Sequence, residues 1–349
     1  MIIKQDDIDR VRLAAEADPE TFIRLVMPLR VLGHCHSEVL NDWKKTDAKR
    51  HKLLLYPRDH QKSFLAAAYA AWRITRYPAI RILYLSATST LAVKQLKLIK
   101  DILTSEIYRR YWPEMINEDE SKREKWTERE IAVDHPLRKK EMVRDATVFT
   151  GGMTTTVTGL HFDLHILDDV VVKDNAYTED GRSKIGDQYS LLASVAGTNS
   201  EEIVVGTRYH PKDLYGTMIA MKYRTYDPLG NFLGEEYVFD VYERAVEDRG
   251  DGSGQYLWPV QHRHDGKQFG FDQNILSLKE SQYLDKIQFR AQYYNNPNDI
   301  STSTITPDYF QYYNPSFLSN TNGKTTYKGS RLNVFASIDF AYSLSKRAD

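Results

Sequence analysis

Apolar residues in this chain gather into short unbroken runs, each followed by a stretch with helical spacing. KLLLYP (52–57) leads into SFLAAAYAAWRIT (63–75), and IRILYLSAT (80–88) leads into STLAVKQLKLIKDILTSEIYRRYW (89–112). In the second of these predicted helices Leu91, Leu96, Ile99, Leu103 and Ile107 fall near one face, as an amphipathic helix requires. ATVFT (146–150), LHILD (164–168) and EIVVG (202–206) are further strand candidates, bounded by Gly, Thr or Asp. Repeated strand–helix units predict an α/β fold with a mostly parallel sheet flanked by helices.

The segment NEDESKREKWTEREIAVDHPLRKKEMVRD (117–145) is dense in both charge signs and reads as a solvated excursion rather than a DNA-binding tail. After about residue 225 the pattern loosens into DPLGNF, EDRGDGSGQYLWP and NNPNDISTSTITPD, rich in turn formers, and the chain is expected to leave its main domain there. A last strand-like run, LNVFASIDFAY (332–342), lies close to the end at Asp349. This organisation predicts a core over 1–225 that includes the amino-terminal helical segment, a further region and linker over 226–325, and the start of another domain over 326–349.

Composition narrows the classes. The 349 residues are 41% hydrophobic and 27% charged, ordinary for a globular protein. With a net charge of −1, any nucleic-acid contact needs a local basic face rather than a global cationic field. Lys44, Lys45, Lys49 and Arg50 form one such cluster, read here as a solvated surface. One cysteine, Cys35, excludes an internal disulfide framework. No apolar run reaches membrane-spanning length, and MIIKQDDIDR carries acids where a signal peptide needs a basic start, so a soluble, intracellular protein is expected. His34, Cys35 and His36 in GHCHS lack a second ligand cluster and read as local packing or solvent-exposed residues, and HRHDG (262–266) reads as a turn.

The junction YPRDHQKSF (56–64) carries the strongest chemical signal. A phosphate-binding loop needs an apolar strand, a tight turn with inward-facing amides at a helix start, a lysine and a small hydroxyl residue. Lys62 and Ser63 supply the last two, while the usual glycines are absent; an exposed lysine in a first helical turn is the alternative. DLHILDDVV (163–171) fits a metal-binding strand that ends in Asp168 with Asp169 beside it, although paired acids also cap loops. Both features would sit at the carboxyl edge of the sheet, where ligands bind. EIVVGTRYHPKDLYG (202–216) ends another strand in Gly206-Thr207-Arg208, a place where a polar side chain can sense a γ-phosphate; a strand-to-loop turn with Pro211 opening the next helix is the alternative.

In this order the segments resemble the ATPase domain of the large terminase subunit, the DNA-packaging motor of tailed bacteriophages. PRDHQKS looks like a drifted form of that family's PRGHGKS-style loop, TGLHFDLHILDD is similar to its Walker B strand, and GTRYHPKDLYG to its coupling motif. LWP (257–259) and FRAQYYNNPND (289–299) resemble the segment leading to the nuclease, and VFASIDFAYSLSKRAD the first strand of an RNase H-like nuclease. The resemblance implies a P-loop NTPase fold of the ASCE, RecA-like kind, with a truncated start of the nuclease domain.

Carried over by residue, it implies a nucleotide-binding loop of Pro57, Arg58, Asp59, His60, Gln61, Lys62 and Ser63. Lys62 would clamp the β- and γ-phosphates, Arg58 would face the γ-phosphate, and Ser63 and Asp168 would hold Mg²⁺. Asp169 stands where the family often has a catalytic Glu, and Gly206 with Thr207 would couple hydrolysis to movement. Asp339 matches the first nuclease metal ligand, with Asp349 a second. Some relatives carry a trans-acting arginine about eleven residues before the catalytic acid; here that position is Thr158, and Arg144, Arg182 and Arg208 are the arginine-finger candidates.

The implied function is ATP-driven translocation of double-stranded viral DNA through the portal, with ATP and Mg²⁺ as cofactors. The implied partners are the portal protein, the small terminase subunit and further copies in a homo-oligomeric ring, in the host cytoplasm and transiently on the procapsid, with no membrane. With one nuclease strand, the chain is not expected to cut DNA. A helicase-like DNA-dependent ATPase, for which YLSAT (84–88) would suit a DNA-contacting segment, and a non-catalytic phage structural or adaptor protein are the alternatives.

Overall fold

The computed structural model describes residues 5–45, 50–157, 159–247, 255–298 and 312–333. The chain divides into two compact units, Met1–Asp299 and Ile300–Asp349. The first opens with helices α1 Gln5–Ala17, α2 Pro19–Val26 and α3 His34–Trp43. There follow β1 His51–Leu55, α4 Lys62–Arg76, β2 Ile82–Ser86, α5 Ser89–Thr104 and α6 Glu106–Tyr111. Next come β3 Glu130–Ile131, α7 Pro136–Lys140, β4 Val148–Gly152, β5 Phe162–Asp168, α8 Lys173–Ala176, α9 Glu179–Leu192 and β6 Ala196–Gly206. Helix α10 Leu214–Ala220 and the hairpin β7 Lys222–Tyr226 and β8 Phe232–Tyr237 lead to β9 Phe239–Glu243. A second hairpin, β10 Gln261–His262 with β11 Gln268–Phe269, precedes α11 Gln273–Ser281 and α12 Lys286–Tyr294.

Seven strands form one sheet in the order β3-β4-β2-β5-β6-β1-β9. Every pairing is parallel except β3 with β4. The inner strands alternate between two apolar layers. Leu54, Ile82, Ile166 and Val205 face the layer under α4 and α5, whereas Leu53, Leu55, Leu83, Leu167 and Val204 face the layer under α9 and α10. Burial on both faces explains why these strands are continuous apolar runs in sequence rather than alternating ones. Helix α4 is buried nearly all round, because alanines at 66–68, 70 and 71 let it sit between the sheet and α1–α3.

Aromatic side chains join the amino-terminal helices to this core through their polar tips. Trp72 Nε1 donates to the Ala15 carbonyl at 3.0 Å, Tyr69 Oη to that of Trp43 at 2.8 Å, and Tyr56 Oη to that of Cys35 at 3.0 Å. The first two acceptors belong to the last turns of α1 and α3, where carbonyls lack intrahelical partners.

Several expectations change. The helix read as 89–112 is two helices broken at Ser105, whose extended backbone ends α5 while its hydroxyl accepts from Tyr108 N–H to cap α6. Leu91 is exposed, and the buried stripe continues through Leu96, Ile99, Ile102 and Leu103 to Tyr108 rather than Ile107. The excursion 117–145 is solvated only in its first half; β3 extends the sheet, and Arg138 is buried with its guanidinium on the carbonyls of Pro78, Ile80 and Asp145. The chain also does not leave the sheet at residue 225, since β9 returns to pair with β1, and the first unit runs to Asp299. HRHDG is the turn between β10 and β11, as expected.

In the second unit β12 Leu318–Thr321, β13 Lys324–Tyr327 and β14 Ser330–Arg331 make a three-stranded antiparallel sheet. Asp339, Asp349 and the strand-like run from residue 334 onward lie outside the described residues, as do Lys49 and Thr158.

Candidate active site at the carboxyl edge of the sheet

Parallel register brings the ends of four strands together. Leu55 pairs with Gly206, and Asp168 lies opposite Val205 on one side and Ser86 on the other. The loop after β1 therefore enters α4 directly beside the acidic end of β5. In that loop Asp59 and Gln61 adopt left-handed backbone angles, φ 64° and 56°, at the two positions that are glycine in the PRGHGKS pattern. The loop thus holds a glycine-like conformation without glycine, at a cost of roughly 1–2 kcal/mol per residue. Among the described residues, the amide N–H groups of residues 59–64 donate to no protein acceptor. They lie at the amino end of a fifteen-residue helix.

His60 sits between the two strained residues and anchors the loop from below. Its ring is fully buried, stacked on Phe271 with centroids 5.0 Å apart and planes 4° apart. The expectation that His60 touches nucleotide is corrected for its side chain, which faces the core; burial pushes its pKa down to about 3. A second histidine supports it. His36 Nδ1 accepts from Gly33 N–H at 2.8 Å, so the proton is on Nε2, which donates to the His60 carbonyl at 3.2 Å. In the GHCHS stretch Cys35 and His36 are buried packing and His34 is exposed, and His36 supports the loop. Among the described residues no cluster of three or more His, Cys, Asp or Glu could hold a metal.

The Gln61 side chain points to the amino-terminal segment: its Nε2 donates to the Val31 carbonyl at 3.1 Å, and Arg30 approaches its Oε1 at 3.4 Å. Asp59 forms an ion pair with Lys279 at 3.1 Å. Lys62 begins α4 with only 6% of its surface exposed and lies near the Asp168 carboxyl, whose charged form it favours. A lysine at a helix start beside a carboxylate suits a site that takes an anion.

Ser63 and Asp168 meet directly. Ser63 Oγ donates to Asp168 Oδ1 at 2.7 Å, and Tyr84 Oη donates to Oδ2 at 3.0 Å. Burial, and after it the neighbouring Asp169, pushes the Asp168 carboxyl up to about 7 against the pull of both hydroxyls and Lys62. One hydroxyl and one carboxylate suit Mg²⁺, which takes few protein ligands and completes its shell with phosphate and water. Asp169 is half-buried with φ 47°, and its N–H donates to the Val205 carbonyl at 2.9 Å. Arg58 lies near Asp169 and Tyr209, with Nη1 on Gln292 Oε1 at 2.9 Å.

The end of β6 is tied to the start of the loop. Tyr56 N–H donates to the Gly206 carbonyl at 3.3 Å, and Thr207 Oγ1 donates to the Tyr56 carbonyl at 3.3 Å. A Cβ on Gly206 would lie 2.2 Å from the Tyr215 ring, so this glycine is fixed by space rather than by backbone angle.

The three arginine candidates separate. Arg208 is 8% exposed, paired with the fully buried Asp213 and bonded to the carbonyls of His210 and Pro211, so it is not available to a neighbouring subunit. Arg144 is exposed and precedes β4, at the opposite edge of the sheet from the phosphate loop. Arg182 is half-buried in the first turn of α9, donates to the Ala176 carbonyl at 2.8 Å, and lies near His210. Sequence reasoning missed Tyr84, His36, Gln292 and Asn295. A tyrosine inside an otherwise aliphatic buried strand was the one signal available, at Tyr84.

The loop after β1, Lys62 at the start of α4 and the Ser63–Asp168 pair thus meet at the carboxyl edge of a mostly parallel α/β sheet, the place where such folds bind ligands. Among solved structures, the chain is similar to the large terminase ATPase domain of Thermus phage P74-26 (14% identity, 79% of this chain and 97% of that one, TM-score 0.43). It is also similar to the large terminase of bacteriophage HK97 (12% identity, 79% of this chain and 54% of that one, TM-score 0.47). A third is the large terminase of the thermophilic bacteriophage D6E in complex with ADP (9% identity, 75% and 53%, TM-score 0.43). The chain spans about half the length of the last two. No protein-family model and no curated protein matches it.

Proposed function

We propose that this chain is an Mg²⁺-dependent ATPase that drives packaging of double-stranded viral DNA through a portal. One observation carries the nucleotide reading: Lys62 opens a helix whose preceding loop keeps glycine-like angles at Asp59 and Gln61, beside the bonded pair Ser63–Asp168. Lys62 and the loop amides hold the β- and γ-phosphates. Ser63 and Asp168 hold Mg²⁺, which supplies charge neutralisation at the phosphate oxygens. Arg58 stabilises charge on the γ-phosphate, and Asp169 orients the attacking water. Thr207, bonded to the carbonyl of Tyr56 just before the loop, senses loss of the γ-phosphate. A cleft of about 250 Å³ beside the loop, lined by Arg30, Gln61, Trp258, Phe269 and Phe271 among others, takes the base.

The motor reading is supported by the ordered likeness of four motifs to terminase ATPase sequences, and it carries with it the ring of copies, the portal and the small subunit as partners. Arg144, which is exposed, and Arg182 are the remaining arginine-finger candidates, and Asp339 and Asp349 remain proposed nuclease ligands. DNA contacts in such a motor fall on the phosphate backbone, since translocation cannot depend on base identity.

The test is ATP hydrolysis with and without Mg²⁺ and double-stranded DNA, with nucleotide binding followed separately, in the wild type, Lys62→Ala and Asp168→Ala. Hydrolysis that requires Mg²⁺, rises with DNA and is lost in both variants is the expected result. Binding without turnover keeps the nucleotide site and places the missing group on a partner; absence of binding overturns the reading.

A further inference from the structure

Helix α12 ends beside the site through two side chains that no nucleotide-binding pattern includes. At Gln292 the main-chain carbonyl accepts from Arg58 N–H at 3.0 Å, and Oε1 accepts from Arg58 Nη1 at 2.9 Å and from Tyr283 Oη at 3.2 Å. Both the backbone and the guanidinium of Arg58 are thus referred to one residue more than two hundred positions away. Three residues later Asn295 closes α12 in a left-handed conformation, φ 52°, which asparagine tolerates better than other non-glycine residues. Its side chain is buried. Nδ2 donates to the carbonyls of Leu55 at 2.8 Å and Arg244 at 2.9 Å, and Oδ1 accepts from Arg208 N–H at 3.3 Å. Leu55 is the last residue of β1, and Arg244 and Arg208 lie one and two residues beyond β9 and β6, where the parallel ladder stops and backbone groups need other partners.

Buried amides whose hydrogen-bonding groups go to strand ends and to a guanidinium are not explained by packing, which an apolar side chain would satisfy with less desolvation. We infer that the last turn of α12 is a strut between the phosphate loop and the coupling strand, with Gln292 and Asn295 as positioning residues for phosphoryl transfer. Gln292 acts through Arg58. Asn295 acts through β1 and β6, whose ends lead into the loop and into Thr207. This inference rests on the nucleotide reading above.

A double-mutant cycle between Arg58→Ala and Gln292→Met tests it, read as kcat and as the ratio of dissociation constants for ADP and ATPγS, which senses the γ-phosphate without turnover. Gln292→Met keeps the volume and removes the acceptor. The expected result is a drop of about tenfold or more in kcat or in that ratio, ADP affinity within about twofold of wild type, and no further loss when Arg58 is already alanine. Losses that multiply in the double variant, or that fall equally on ADP and ATPγS, overturn the inference. Asn295→Gly preserves the left-handed turn without the side chain; unchanged γ-phosphate discrimination and kcat in that variant overturn the role of Asn295. If Lys62→Ala leaves nucleotide binding and hydrolysis unchanged, the reading of the whole site fails. Normal dependence on Lys62 with a multiplicative cycle defeats the strut alone.

Discussion

The loop after β1 and the end of β6 treat glycine in opposite ways. At Asp59 and Gln61 the left-handed backbone persists although the glycines are gone, while at Gly206 the backbone is ordinary and the glycine cannot be exchanged because Tyr215 occupies the place of a Cβ. The difference separates two reasons for glycine. A conformational requirement can be met by another residue at a cost near 1 kcal/mol, offset by local bonds such as Gln61 to Val31. A steric requirement has no such graded alternative.

Gly206→Ala is therefore expected to have the largest effect, about 3 kcal/mol or more by thermal or denaturant unfolding. Combining it with Tyr215→Leu should recover most of that loss; no recovery would mean the constraint lies elsewhere.

Next comes Asp168. Its folded pKa of about 7 stands above the ordinary 3.8, so the folded state holds a proton that the unfolded chain has released. In the absence of Mg²⁺, stability should be fullest below about pH 4 as far as this group is concerned and should fall as pH rises through 7, by on the order of a few kcal/mol. Asp168→Asn should remove that slope and be more stable than wild type at pH 8 without Mg²⁺, as unfolding curves at several pH values would reveal.

His36 supports the tolerant region. Burial holds His36 near 4 and His60 near 3, so their contribution has the opposite sign: present above pH 6.5 and lost as pH falls toward those values. His36→Phe should cost about 2 kcal/mol through the unpaired Gly33 N–H and His60 carbonyl, and should flatten the acid limb of the stability profile.

The smallest effect belongs to the loop itself. Gln61→Gly relieves the left-handed strain but loses the bond to Val31 and adds unfolded-state entropy, leaving stability within about 1 kcal/mol of wild type. Gln61→Ala keeps the strain and loses the bond, so it should be the less stable of the two. The reverse order would mean that the loop's shape is not glycine-like in solution.

How much of this was legible follows from range along the chain. β1, β2, β5 and β6 are apolar on both faces, so local composition announces them, and Lys62-Ser63 and Asp168-Asp169 sit at their ends where a motif can be recognised. The pairing of Ser63 with Asp168 follows from parallel order. The Tyr84 hydroxyl, the His36 support and the α12 strut join residues distant in sequence, and no local spacing encodes them. The break at Ser105 was local and was hidden by continuous helical hydrophobicity. β9 was hidden because it is a short edge strand with polar alternation, whose membership depends on β1 rather than on its own pattern.

The position of β1 also has a consequence for synthesis. β1, the earliest strand among the described residues, lies between β6 and β9, with Leu55 opposite both Gly206 and Glu243. Its neighbours are made roughly 150 and 190 residues later. Until then an apolar segment has neither edge covered, so the nascent chain carries a long-lived aggregation hazard and must close large loops before the sheet is continuous. The phosphate loop grows from that same strand, and its geometry cannot be complete before β6 and β9 have arrived.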